Sequence, residues 1–289
     1  MSRKIFLAVM AIAFLLSFAA TYAQDKPKRT YTKNDFVNVD GGNLTDKIER
    51  AFRQYKSSKQ NDQGDSVWIA YHFAAREGSY IGPFSGTVYY DDGIKLERKD
   101  DPSQAAVFLL ADTSSSALTI KRVKTLSLKE DFVFEDRMVY WLGNADTNQS
   151  LSYLSALAKQ GKDDKAEKES RELARGALRA IGSHDSSRAV SMLREFATQE
   201  SNVELQRSAV SNLSRFRTAE GTDALISLYD NAKDDAVKEE IISGLSRSKE
   251  RRAADKLLNI AQNDSNPKMR RSAVRRLSTA NSSSGIWIN

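Results

Sequence analysis

The chain contains no cysteine. That absence excludes thiol nucleophiles, Cys-ligated zinc, iron–sulfur clusters and lipid attachment through a cysteine. Histidine is nearly as scarce: His72 and His184 are the only two in 289 residues, and their separation excludes a His-x-x-x-His metal motif. With 4 prolines and 14 glycines, collagen-like and low-complexity classes also fall away. The chain lacks a P-loop and a Gly-x-Gly-x-x-Gly fingerprint, and Gly82-Pro83-Phe84-Ser85-Gly86 carries its serine one place late for a nucleophile elbow. What is present is 40% hydrophobic and 28% charged with a formal net charge of +6, ample for a large core.

The segment from Met1 to Ala23 reads as a secretory signal peptide. Arg3 and Lys4 precede an apolar run from Ile5 to Ala20, broken only by Ser17, and Thr21 and Ala23 set small residues before a cut between Ala23 and Gln24. The apolar run is shorter than the roughly 20 residues of a membrane span, so an uncleaved anchor is the weaker reading. No later segment is apolar enough to span. The expectation is a periplasmic or secreted protein, and an exported chain without cysteine points to a bacterial envelope.

Residues 24–31 are charged, contain Pro27 and read as a linker. Aromatic residues then crowd together: 16 of the 25 Phe, Trp and Tyr lie between Tyr31 and Trp141. Beyond that point Ala, Leu, Ser and Arg dominate. This shift divides the chain into an α+β region at 32–143 and a helical region at 148–280, with a tail at 281–289. Leu44, Ile48, Phe52 and Tyr55 mark one helix, with Asn43 as its N-cap. Val67 to Arg76 is a strand with both faces apolar. Thr87–Tyr90 and Ile94–Glu97 flank Asp91-Asp92-Gly93 as a hairpin. Ala106–Ala111, Leu118–Val123, Phe132–Phe134 and Met138–Trp141 supply further strands.

The second half is periodic. Leu173, Leu205, Val237 and Met269 form one evenly spaced column, and their numbers set a 32-residue repeat. Ala177, Ala209, Ile241 and Ala273 form another. Leu178, Val210, Ile242 and Val274 follow, then Ile181, Leu213, Leu245 and Leu277. Between them Leu193, Leu225 and Leu257 recur, with Phe196, Leu228 and Ile260, and Ala197, Tyr229 and Ala261. Leu154, Leu157 and Ala158 begin the series, separated from it by a charged loop at Lys162–Lys168. Each segment is apolar at i, i+4, i+5 and i+8, a face too wide to bury alone, so neighbours must stack into a short α-solenoid of about four helix pairs.

These columns resemble the HEAT repeats, in the short variety of phycobilin-lyase-like and many exported bacterial proteins. The carrying motif is an apolar–basic pair, then Ala, then Leu: Met269-Arg270, Ala273 and Leu277 match best. Val237-Lys238 with Ile241 and Leu245 lacks the alanine, while Leu205-Gln206 and Leu173-Ala174 lack the basic residue. The likeness covers Gln149 to Thr279. It implies a repeat scaffold with the second helix of each pair lining a concave surface, and is nearly silent on chemistry.

Chemistry is hard to find. Asn144, Asp146, Asn148 and Ser150 alternate like calcium-loop ligands, but Gln149 stands where glycine is needed and Ser155 where glutamate is needed. A polar linker capping the first solenoid helix accounts for them better. His72 reads as packed or half-exposed on its strand, and His184 as a capping or solvated residue in a turn. The aromatics read chiefly as core, with Tyr80–Gly86 as the best exposed contact loop. No catalytic residue, cofactor or metal is expected.

Charge is the most useful pointer. From Lys238 to Leu277 there are 11 Lys and Arg against 5 Asp and Glu. In the register of the repeat, Arg175 and Arg207 align with Glu239 and Arg271. One turn on, Arg179 aligns with Arg275; a further turn on, Arg215 aligns with Arg247. Arg175, Arg179, Arg207, Arg215, Arg247, Arg271 and Arg275 are therefore the candidate binding residues, an interrupted basic stripe facing a partner with an acidic surface. Export makes nucleic acid an unsuitable partner whatever the pI. The leading reading is an exported non-catalytic scaffold; the alternative is an enzyme or enzyme subunit with its site among the N-terminal aromatics. A phycobilin lyase conflicts with the leader.

Overall fold

The computed structural model describes residues 30–58, 65–76, 86–89, 94–98, 104–128, 131–135, 137–161, 168–199 and 201–284. The segments expected as leader (Met1–Ala23) and, for the most part, as linker, the expected turn at Asp91–Gly93 and the expected loops at Tyr80–Ser85 and 162–167 lie outside these residues.

The N-terminal region is α+β, and its described residues form nine strands in two sheets. They are β1 (Thr30–Tyr31), β2 (Val37–Asn38), β3 (Ser66–Ala74), β4 (Gly86–Tyr89), β5 (Ile94–Arg98), β6 (Gln104–Asp112), β7 (Thr119–Ser127), β8 (Asp131–Glu135) and β9 (Val139–Asn144). The larger sheet runs β2-β9-β3-β6-β7 and is mixed, because β9 lies parallel to both β2 and β3. The smaller runs β1-β8-β5-β4, with β4 and β5 antiparallel and Thr87 opposite Glu97.

Strand β3 is apolar on both faces because both faces are covered. Val67, Ile69, Tyr71 and Phe73 point into the main core, beside Val107 and Leu109 of β6. Trp68 and Ala70 point the other way, into a second core with Phe108, Phe132 and Phe134 between the sheets. There Trp68 meets Phe108 edge-on at 6.4 Å between ring centroids, a favoured aromatic geometry. Helix α1 (Leu44–Ser57) covers the main-core face; Asn43 caps it by accepting from the Asp46 N–H at 3.0 Å, and Leu44, Ile48, Phe52 and Tyr55 are among its buried residues.

Among the described residues eight helices follow: α2 (Thr147–Ala158), α3 (Lys168–Ile181), α4 (Ser187–Gln199), α5 (Val203–Leu213), α6 (Ala219–Asn231), α7 (Asp235–Leu245), α8 (Arg251–Asn263) and α9 (Pro267–Ser284). The last runs past the expected limit at 280. Helices α3, α5, α7 and α9 stack in one layer, while α4, α6 and α8 stack in the other. The columns Leu173/Leu205/Val237/Met269 and Ala177/Ala209/Ile241/Ala273 are buried throughout. Val274 breaks its column at 55% exposure.

A polar column keeps the same period and is hidden from the apolar pattern. Asn202 accepts from the Glu204 N–H, Asp234 from the Ala236 N–H and Asn266 from the Lys268 N–H, at 2.8–3.0 Å. They cap α5, α7 and α9 in turn, as Asn and Asp are suited to do.

Sheet and solenoid share one core, continuous from Val39 to Ala273. Helix α3 lies directly on β7, and Gly176 makes that possible: a Cβ there would sit 2.5 Å from the Val123 carbonyl oxygen. Helix propensity alone favours Gly176→Ala by up to about 1 kcal/mol. The backbone clash should reverse the sign, so we expect a net loss of about 1–3 kcal/mol in urea denaturation. A stabilised variant would show that α3 does not approach β7 so closely.

Candidate functional site

The second helix of each repeat turns its apolar stripe inward, leaving positions one turn apart free on the opposite side. On α3 these are Arg175 and Arg179; on α5 they are Arg207 and Ser211, with Arg215 in the turn beyond. The structure brings four of the seven expected arginines together. Arg175, Arg179, Arg207 and Arg215 line one groove of about 350 Å³, together with Ser208, Ser211, Asn212, Glu204 and Glu240.

The two carboxylates compensate part of this charge. Arg175 donates to Glu204 at 2.7 Å. Glu240 stands between Arg207 at 4.0 Å and Arg247 at 3.8 Å. Arg247 also donates to Ser243 and Ser214, at 3.0 and 2.7 Å. It stands beyond the groove's end, joined to it through Glu240. Partial burial lowers the Arg247 pKa although Glu240 opposes the shift. Arg179 has no ion pair among the described residues.

Arg271 and Arg275 are not brought in. Both lie exposed on α9, away from the groove lining. Glu239, expected in mid-stripe, turns aside to pair with Lys268 at 3.3 Å. Its neighbour Glu240 faces the groove instead, one position and about 100° further round the helix. In the register of the repeat Glu240 aligns with Ser208, and both line the groove; the column of Arg175 and Arg207 also lines it in the earlier repeats, but Glu239 in the same column does not.

A second constellation lies at the joint between sheet and solenoid. His184, expected in a solvated turn, is wholly buried. Its ring stacks on Phe73 with centroids 3.8 Å apart and planes 5° from parallel. Nδ1 lies 2.8 Å from the Ala180 carbonyl, which can only accept, so Nδ1 carries the proton. Nε2 then accepts from the Ser150 hydroxyl at 2.9 Å, and Ser150 accepts from the Tyr71 hydroxyl at 2.9 Å. Every member is satisfied with a neutral imidazole, and burial pushes the His184 pKa down to about 4. A serine–histidine contact is the geometry of an activated nucleophile. Here Tyr71, Ser150 and His184 are all fully buried, so no substrate reaches them; the group is a lock between layers.

The remaining candidates resolve simply. His72 is half-buried and stacks on Trp141 at 5.6 Å. Asp146 caps α2 by accepting from the Gln149 N–H at 3.0 Å, and Ser150 belongs to the lock. Among the described residues no three His, Asp or Glu side chains gather as a metal set, and no helix is long and apolar enough to cross a membrane.

No curated protein matches the chain. Among solved structures, human deoxyhypusine hydroxylase in complex with glycerol is 16% identical, with a TM-score of 0.36, over 45% of this chain and 43% of that one. A de novo designed 16-helix transmembrane nanopore is 17% identical, with a TM-score of 0.14, over 47% of this chain and 42% of its own. The chain thus spans under half the length of either, and neither likeness bears on its chemistry. A family model of HEAT repeats matches residues 164–246 and 197–278. The C-terminal region of this chain, over 164–278, is therefore built of HEAT repeats.

Proposed function

We propose that the protein is an exported, non-catalytic scaffold that holds an acidic segment of another protein in the groove on α3 and α5. One observation carries this reading: four arginines from successive repeats line a single groove whose two carboxylates leave an excess of two positive charges. Guanidinium groups spaced one helical turn apart suit a row of carboxylates, each held by charge-assisted hydrogen bonds. Export rests on the segment Met1–Ala23; N-terminal sequencing of the mature protein should begin at Gln24, and an intact Met1 would refute cleavage.

A fluorescein-labelled Glu-rich peptide is a direct probe of the groove. Its affinity should fall as salt rises, since exposed charges are screened within about 8 Å at physiological ionic strength. Arg179→Glu with Arg207→Glu should weaken it about tenfold, equivalent to about 1.4 kcal/mol. Glu240→Gln should tighten it, because Arg207 and Arg247 lose their internal competitor. Unchanged anisotropy titrations in both variants would place the docking surface elsewhere.

A further inference from the structure

The helix pair α8–α9 carries an open apolar face. In the repeat before it, Thr222, Tyr229, Ile242 and Leu245 are buried and Ile226 is half-buried. Their equivalents one repeat later are all more exposed. Ala254, Ala261 and Leu277 are half-buried, Leu258 is 49% exposed, and Val274 is the most open of the set. Ala254, Leu258 and Ala261 share a line on α8 at steps of four and three, and Val274 and Leu277 share one on α9, which packs beside it. Five columns that stacking fills in the earlier repeat thus open together on one side. Among the described residues, Leu258 and Val274 are the large hydrophobic side chains left exposed.

The border of this face is cationic. The charged side chains of α9 are Lys268, Arg270, Arg271, Arg275 and Arg276, and no Asp or Glu follows Asp264 in the sequence. Arg271 and Arg275, one turn apart, form an exposed row directly beside Val274. Among the described residues neither forms an ion pair with a carboxylate, whereas Lys268 is held by Glu239. On α8 an exposed acid, Asp255, stands one turn before Leu258.

Charge and area decide what suits this face. A second copy of the chain would bring the same cations toward one another. The face is also small: the 13 residues of α8 run about 20 Å and a helix pair is about 20 Å wide, which gives about 400 Å² against the roughly 800 Å² per partner of a stable protein interface. A lipid surface needs no shaped counterpart. Aliphatic side chains enter its headgroup boundary while neighbouring guanidinium groups meet anionic headgroups. The sequence past α9 adds Ile286, Trp287 and Ile288 without a charge, and tryptophan favours the membrane–water interface.

We propose that the α8–α9 face is a docking surface for an anionic lipid membrane, with Leu258 and Val274 entering the headgroup boundary and Arg271 and Arg275 meeting the lipid phosphates. It lies apart from the arginine groove, so it holds or fails independently of the scaffold reading.

The test is co-sedimentation of the mature protein, beginning at Gln24, with vesicles of phosphatidylglycerol and phosphatidylcholine in equal parts, against vesicles of phosphatidylcholine alone. Binding to the anionic vesicles is expected at low salt and should weaken about tenfold when the salt is raised to about 0.5 M. Arg271→Gln with Arg275→Gln should weaken it about tenfold, and so should Leu258→Ser with Val274→Ser. Both double variants should keep the parent Tm, because all four positions are exposed. Asp255→Asn should tighten binding, while Arg53→Gln on α1 should leave it as it is. No binding to anionic vesicles, equal binding to phosphatidylcholine alone, or undiminished binding in both double variants would overturn the proposal. So would a dimer in sedimentation equilibrium that Leu258→Ser with Val274→Ser dissociates, which assigns the face to a second copy. Vesicle binding gained only on removing residues 285–289 would overturn it in favour of the chain's own tail.

Discussion

Replacing His184 by alanine is expected to destabilise the protein by about 3–5 kcal/mol, the range of large aromatic truncations in cores. Three losses coincide. The stacked face of Phe73 is left over a cavity, the Ser150 hydroxyl loses its acceptor, and the Ala180 carbonyl loses a donor. The carbonyl keeps the Ser183 N–H and the hydroxyl keeps Tyr71, so the cavity under Phe73 is the largest of the three losses. Tyr71→Phe should be far milder, because Ser150 still donates to His184, and about 1 kcal/mol is expected. Urea midpoints of the two variants check the ranking. Equal, small effects would mean that the lock does not hold the layers together.

The same residue gives stability a dependence on pH. His184 titrates near pH 4 when folded against 6.5 when free, so the unfolded state binds the extra proton between those values. Stability from this group is therefore complete above pH 6.5 and is lost as pH falls toward 4. A tenfold change in proton affinity corresponds to about 1.4 kcal/mol, so the gap between the two values contributes about 3 kcal/mol. His184→Gln should flatten that segment of the profile. An unchanged slope between pH 7 and pH 5 would show that other groups govern acid unfolding.

The second large effect lies in the repeat core. Leu213→Ala and Leu245→Ala should each cost about 2–5 kcal/mol, since both side chains are buried between successive repeats. Leu277 occupies the same column but is only half-buried on α9, so Leu277→Ala should cost clearly less. Calorimetric or denaturant ΔΔG values decide the order. Equal losses at all three positions would show that α9 is covered on its far side as fully as α5 and α7 are.

The repeat architecture was legible in the chain because stacking imposes one environment per repeat, and burial then selects the same residue class in each copy. Helix α1 and strand β3 were legible for a related reason: a cap, a helical period and an alternating run are local patterns that report local geometry. Four arginines of the stripe could likewise be picked out, since the same register sets which residues turn away from the apolar face.

The rest depended on contacts between distant parts of the chain. Nothing near Gly176 indicates that α3 rests on the Val123 carbonyl, and nothing near His184 indicates that Phe73 and Tyr71 close over it. Those environments are made by a sheet that lies far away in sequence. Glu240 rather than Glu239 enters the groove because it stands about 100° further round α7, on the side that meets Arg207 of α5. Val274 belongs to an apolar column, yet the fold leaves it exposed beside Arg271 and Arg275. Periodicity determined which faces are apolar; tertiary packing decided what each face is buried against, and so which one is left open.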